Sequence, residues 1–273
     1  MTELAMPTAE LAVPLRARLW REHRALLGRW IYRLRREPLL LVTAIAQPVV
    51  WLLLFGNLLS QLAAGSEIPG GDYLRFMTAG AVVMTIFNAS LSGGVELLFD
   101  RETGLLVRMF AAPVHRLAIV TSRFVYVVGL ACLQSLFILL VAMLAGVRYA
   151  TGLAGIGACL LLGALFGAGI ASLSVALAFA LRHHGDFFTL IGFVGLPLMF
   201  LSSTLVPLEL MPDWLRSVAE LNPMTHAVEA VRTLVLHGWS AGELARQIGF
   251  LAVFDGGCIG LATWVLRRGL RPR

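Results

Sequence analysis

The sequence predicts an all-α polytopic membrane protein. It has six transmembrane helices, an amphipathic interfacial helix before them, a short charged helix on the cytoplasmic side and two short outer helices before the last span. Three observations carry this. The 273 residues are 58% hydrophobic and only 14% charged, whereas soluble domains carry roughly 25% charged residues. Six apolar stretches, about 39–60, 74–97, 122–145, 153–181, 187–206 and 247–266, each approach the ~20 residues a bilayer core requires. The 22 basic residues, all arginine, are also divided unevenly among the connections.

Residues 15–36, LRARLWREHRALLGRWIYRLRR, place Leu15, Leu19, Leu26 and Trp30 on one helical stripe, with Trp20, Leu27, Ile31 and Leu34 beside it and arginines opposite. That pattern suits a helix lying in the membrane interface. A solvated basic arm is the plainer alternative, and the aromatic residues favour the interface. Residues 1–38 are polar and arginine-rich, without a cleavable-signal pattern, and form a cytoplasmic N-terminal segment ahead of a six-span domain over 39–273. The fourth apolar stretch is overlong and glycine-rich, so it is expected to tilt or bend. Its Gly163 and Gly167 have the spacing of a helix-packing face.

Between the second and third stretches lies LFDRETGLLVRMFAAPVHRLAIVTSR, Leu98 to Arg123. Asp100 can cap a helix here. Leu105, Leu106, Met109 and Ala112 give that helix an apolar face, Arg101, Arg108 and His115 a basic one, and Pro113 stops it. About 14 residues at 1.5 Å each make a rod of roughly 20 Å. Simple retention of positive charge on the inner side is the alternative. Asp100 and Glu102 count against it, because acidic residues contribute little to that rule.

With the N-terminus inside, 17 arginines are cytoplasmic: eight before Leu39, four over 101–123, Arg182, and four after Leu266. Five are outside: Arg75, Arg148, Arg216, Arg232 and Arg246. This bias places both termini in the cytoplasm. The connection after the fifth stretch, PLELMPDWLRSVAELNPMTHAVEAVRTLVLHGW, is too polar to span and reads as two short amphipathic helices or an ordinary folded loop. Pro212 starts the first helix, Asn222-Pro223 separates the two, and Gly238 ends the second. Trp214, Leu215, Val218 and Leu221 make one apolar stripe; Ala227, Val228, Val231 and Val235 make the other. Both are expected to dip into the outer leaflet and pack on the spans.

With no lysine in the chain, neither a Walker A lysine nor a Schiff-base lysine is available, and no GxxxxGK[ST] pattern occurs. Cys132, Cys159 and Cys258 all fall in apolar runs, which argues against a disulfide framework or a zinc site. The net charge of +6 sits beside apolar spans, so it suits an anionic leaflet better than nucleic acid. No zincin, phosphotransferase or nucleophile–base pattern points to an enzyme. His183-His184 reads as a plain interfacial pair.

The charged segment and the outer connection together resemble the permease subunits of type-2 ABC exporters, the ABC-2 type transport permeases. The first motif is carried by Asp100, Glu102, Gly104, Leu106, Arg108, Pro113 and Arg116. The second is carried by Pro207, Met211, Pro212, Trp214, Leu215, Asn222, Pro223, Ala230 and Arg232. The resemblance implies that the charged segment is a coupling helix docked on a separate ATPase subunit. Asp100, Arg101, Glu102, Gly104, Leu105, Leu106, Arg108, Met109, Pro113 and Arg116 would then serve that role. Glu102 and Arg108 would make polar contacts with the partner, and Leu105 and Met109 would fill its groove. It also implies pairing with a second permease, identical or not, and a substrate moving outward between the halves of a cell-membrane complex. The chain would hold no cofactor, the partner binding ATP. Exporters of the daunorubicin-resistance and nodulation-factor types are similar.

Few polar residues interrupt the spans. Gln47, Asn57, Asn88, Ser202, Ser203 and Thr204 either line a pathway or make interhelical hydrogen bonds. Asp255 lies near the middle of the last span, where a charge costs about 2.5–3.5 kcal/mol, so it is expected to face protein or water. The leading reading is the membrane subunit of an ATP-driven exporter of amphiphiles, lipid-linked molecules or drug-like compounds. A proton-coupled carrier centred on Asp255 is the alternative, although no internal repeat supports it.

Overall fold

The computed structural model describes residues 15–63, 73–111, 116–181 and 183–269. Among these residues the chain is helical and has no strand. In order come α1 (Leu15–Arg36), α2 (Pro38–Ala63), α3 (Tyr73–Glu102), α4 (Leu105–Ala111) and α5 (Arg116–Leu144). Then follow α6 (Gly152–Ala180), α7 (His184–Phe200), α8 (Asp213–Glu220), α9 (Pro223–Arg232) and α10 (Ala241–Gly269). α1 covers the stretch that the arginine-backed stripe predicts, and only Glu37 separates it from α2.

Among the described residues, four helices are long and apolar enough to cross a bilayer: α3, α5 from Thr121, α6, and α10 as far as Val265. The first predicted span falls in α2, a helix of 26 residues whose described apolar stretch is Val42–Leu54, and the fifth is the apolar helix α7, His184–Phe200. The 17 residues of α7 rise about 25 Å, short of the ~30 Å hydrocarbon core. α7 was expected to run to residue 206, but it ends at Phe200. Pro197 lies in its last turn, and the Asn222 amide donates to the carbonyls of Leu198 and Leu201, which a further turn would have used.

α6 runs through the middle of the bundle, packed against α3 on one side and α10 on the other. α5 lies beside both α3 and α6, α2 lies on α3, and α1 lies along α5. Gly163 and Gly167 form the predicted packing face: a side chain at either would meet Ile86, and at Gly167 Ser90 as well. Phe76, Ile86, Ile138, Phe166, Val228 and Leu251 are all buried in this core. A smaller cluster of Leu97, Leu98, Val175, Ala178 and Phe187 lies where α3, α6 and α7 meet near α4. α9 packs near the start of α3, at one end of the bundle, and α4 follows the end of α3 at the other.

Candidate functional site

The charged segment is not one 14-residue rod. α3 continues unbroken through Asp100 to Glu102, Thr103 and Gly104 form a turn, and α4 covers seven of the described residues, Leu105–Ala111. Asp100 does not cap a helix. It is buried and ion-paired with Arg123 of α5, so it belongs to the side of α3 that faces the bundle. Thr103 closes the end of α3, its backbone N–H and its hydroxyl both donating to the Phe99 carbonyl (3.0 and 2.8 Å). Gly104, at φ +71°, takes the left-handed conformation that ends a helix. The Gly104 carbonyl then accepts from Arg108 to open α4.

Arg123 is anchored twice. Beyond Asp100, its guanidinium lies 4.7 Å from the centroid of Trp30, and Trp30 stacks on Tyr126 at 5.3 Å. Trp30 is only 2% exposed. α1 is therefore docked on α5 through this aromatic–cation sandwich, while Trp20, 68% exposed, is left uncovered by the chain. Arg29 lies 5.0 Å from the Trp30 ring and donates to the sulfur of Met109 at 3.4 Å, which ties α1 to α4.

The last turn of α3 also grips the start of α7. Glu102 accepts from the His184 backbone N–H (3.1 Å) and meets its ring Nδ1 at 2.8 Å. Phe99 stacks on that ring at 5.4 Å. Arg101 donates to the Leu181 carbonyl at the end of α6 (3.0 Å). Of the residues expected to face a partner, Asp100, Arg101 and Glu102 thus already have partners within the chain. Arg108 is exposed, and Leu105 and Met109 are half-buried. Pro113 and the side chains of Leu106 and Arg116 lie outside the described residues. Sequence reasoning missed Arg123 as a partner and took His184 for a plain interfacial residue. Both contacts bridge different helices, 23 and 82 residues apart, so no local pattern signals them.

At the α9 end the second motif forms a buried knot. Asn222 caps α9, its side-chain oxygen accepting from Met224 N–H at 2.9 Å. Its amide donates to Leu198 and Leu201 (2.7 and 2.8 Å), and Pro223 opens α9 at its first position. Arg232, 5% exposed, donates to the Ser203 carbonyl (2.6 Å) and to Glu229 (2.5 Å), and lies 3.7 Å from the Phe76 centroid. Burial pulls its guanidinium below the usual arginine range, and Glu229 and Glu209 work in the opposite direction.

Ser202, Ser203 and Thr204 are not span residues. They lie in the turn after α7, buried by this knot, and the Ser202 and Thr204 hydroxyls bond each other at 2.7 Å. The two short helices predicted for the connection after the fifth stretch appear as α8 and α9, and the stripe of Ala227, Val228, Val231 and Val235 is buried against the bundle. Gly238, at φ +94°, follows a π-helical turn over Thr233–His237. Pro207 and Met211 are buried, Pro212 is exposed at the start of α8, and Trp214 is 68% exposed.

Gln47 and Asn88 are exposed on α2 and α3, and the side chain of Asn57 lies outside the described residues. Asp255 is buried at the contact of α10 with α6, beside Gly169, and its Oδ1 finds no hydrogen-bond partner. Among the described residues, no group of three His, Cys, Asp or Glu is placed to hold a metal.

The profile of a family described as ABC-2 type transporter matches residues 21–236. A transport permease, ycf38, of Porphyra purpurea is 33% identical over 246 residues, covering 89% of this chain and 84% of that protein. The daunorubicin resistance ABC transporter permease protein DrrB1 of Streptomyces coeruleorubidus is 28% identical over 238 residues, covering 84% and 81%. Nodulation protein J of Rhizobium meliloti is 26% identical over 233 residues, covering 84% and 86%.

Proposed function

The chain belongs to the ABC-2 type transporter family, and from that premise we propose that it is the membrane-spanning subunit of an exporter driven by a separate ATPase. A substrate of amphiphilic, lipid-linked or drug-like character moves outward, and two copies of the chain together enclose its route. Each copy crosses the membrane six times, α2 and the shorter α7 supplying the remaining two crossings. The carrying observation is the family match together with a short amphipathic helix, α4, held between α3 and α5. Arg108 is exposed there, and Leu105 and Met109 are half-buried, a surface suited to a protein partner. The relatives named for daunorubicin and doxorubicin resistance support a drug-like or amphiphilic cargo.

Co-expression with the ATPase subunit tests this. Inside-out vesicles carrying both should accumulate a fluorescent amphiphile only with ATP, and neither subunit alone should do so. Accumulation by this chain alone under a proton gradient would sink the proposal. The uneven arginines support a cytoplasmic N-terminus and α8 outside. On a cysteine-free background in intact cells, an impermeant maleimide should then label Ser217→Cys and leave Ala17→Cys untouched.

A further inference from the structure

We propose that the clasp between the last turn of α3 and the first turn of α7 carries the motion of α4 into α7, with Glu102 as its positioning residue. This rests on the reading of α4 as the part that an ATPase moves.

The geometry of α7 supports it. Its first turn is held on several sides: Glu102 takes the His184 backbone N–H and ring, Phe99 stacks on that ring, and Phe187 is fully buried among Leu97, Leu98 and Val175. Its last turn is held by Asn222. Between these ends Phe188, Phe193 and Leu196 are exposed from the chain, so the middle of α7 has little to brace it. A helix of about 25 Å held at its ends moves as a strut, and whichever end is displaced redirects it.

The α4 end is the one that can be displaced. Only Thr103 and Gly104 separate Glu102 from α4, too short a link to absorb a shift. The Glu102–His184 contact is also solvent-exposed on both sides. It can travel with α4 as a unit without dragging a charge out of the core, unlike the buried Asp100–Arg123 pair beside it. Glu102 further supplies a charge-assisted acceptor at the N-terminus of α7, where the helix dipole favours an anion.

Paired spin labels in the complex with its ATPase test the proposal, after Cys132, Cys159 and Cys258 are replaced by alanine. One pair, Ala111→Cys with Phe193→Cys, reports α4 against α7. The other, Val125→Cys with Phe193→Cys, reports α5 against α7. Trapping with ATP and vanadate should shift the α5–α7 distance by about 2 Å or more, the scale of helix shifts in switching proteins, and leave the α4–α7 distance nearly fixed. In Glu102→Ala, measured in the fraction that carries the ATPase, the pattern should reverse. Glu102→Gln, which can still accept from the His184 backbone, should fall between. His184→Ala provides a second break should Glu102→Ala fail to assemble. If both alanine variants keep the wild-type α5–α7 shift, or if wild type shows none with the ATPase bound, the clasp is not the route. If no ATPase binds wild type at all, the reading of α4 fails first and takes this inference with it.

Discussion

At its C-terminal end α7 meets a knot of buried polar groups: Asn222 on the carbonyls of Leu198 and of Leu201 just beyond the helix, and Arg232 on the turn that follows. At its N-terminal end it meets a clasp of similar hydrogen-bonding power but open to solvent, in which Glu102 holds His184. The same helix is thus held by two sets of polar contacts in opposite surroundings. Burial makes the first set costly to break, because a lost partner leaves its mate without water. Exposure makes the second cheap to break, because water substitutes at once. One end is built to stay and the other can yield.

The largest effect should come from breaking the knot. Arg232→Met removes a buried cation and leaves Glu229 and the Ser203 carbonyl without it. A loss of about 3–5 kcal/mol is expected, read as poor yield and an early unfolding transition in detergent. Arg232→Lys should recover only part of it, since one ammonium cannot reproduce two directed contacts and a flat cation over Phe76. A wild-type transition in Arg232→Met would show that the knot does not hold this end.

Asn222→Ala comes next. It removes the α9 cap and both bonds to α7, and about 1–3 kcal/mol should be lost. Asn222→Asp separates the two roles: the carboxylate can still cap Met224 N–H but can no longer donate to Leu198 and Leu201. If Asp is as stable as Asn, the link to α7 contributes nothing, and the comparison between the ends loses its basis.

Which parts of this were legible in the sequence follows from the range of the forces involved. The stripe of α1, the bodies of the apolar helices, the Asn222-Pro223 break and the Gly238 stop are set by residues close together in the chain, and local pattern marks them. Motif resemblance marked Asn222 and Arg232 but not their task. Asp100 misled because an acid before an apolar run has the local form of a helix cap, and only its contact with Arg123, on a different helix, shows otherwise. The end of α7 was misjudged for a related reason. The stretch to residue 206 is apolar enough to continue, but a side chain at 222 claims its carbonyls.

A third change leaves both ends of α7 intact and tests the partner surface. Leu105→Asp with Met109→Asp should barely move the unfolding transition, because both residues are only half-buried. The double variant should lose co-purification with the ATPase, or hydrolyse ATP without export. Arg75→Ala, at the α9 end of α3, is the control and should keep both. A double variant that assembles and exports like wild type would leave α4 as a topology signal.

A small and graded effect is expected at Gly104, and it sharpens the comparison most closely. Its φ of +71° lies in the left-handed region, and an added Cβ would meet nothing within 4 Å. Backbone strain is then the only cost of a side chain there, about 1 kcal/mol for alanine. Asparagine tolerates that region better and should cost less, while valine, with its branched Cβ, should cost more. The order Asn, Ala, Val should appear as a graded but small fall in the unfolding transition, and as a graded change in the angle of α4 that spin labels at Ala111 and Val125 would read. If instead alanine unfolds the protein as severely as Arg232→Met, the turn is part of the rigid frame. The α4 end would then be no more yielding than the α9 end.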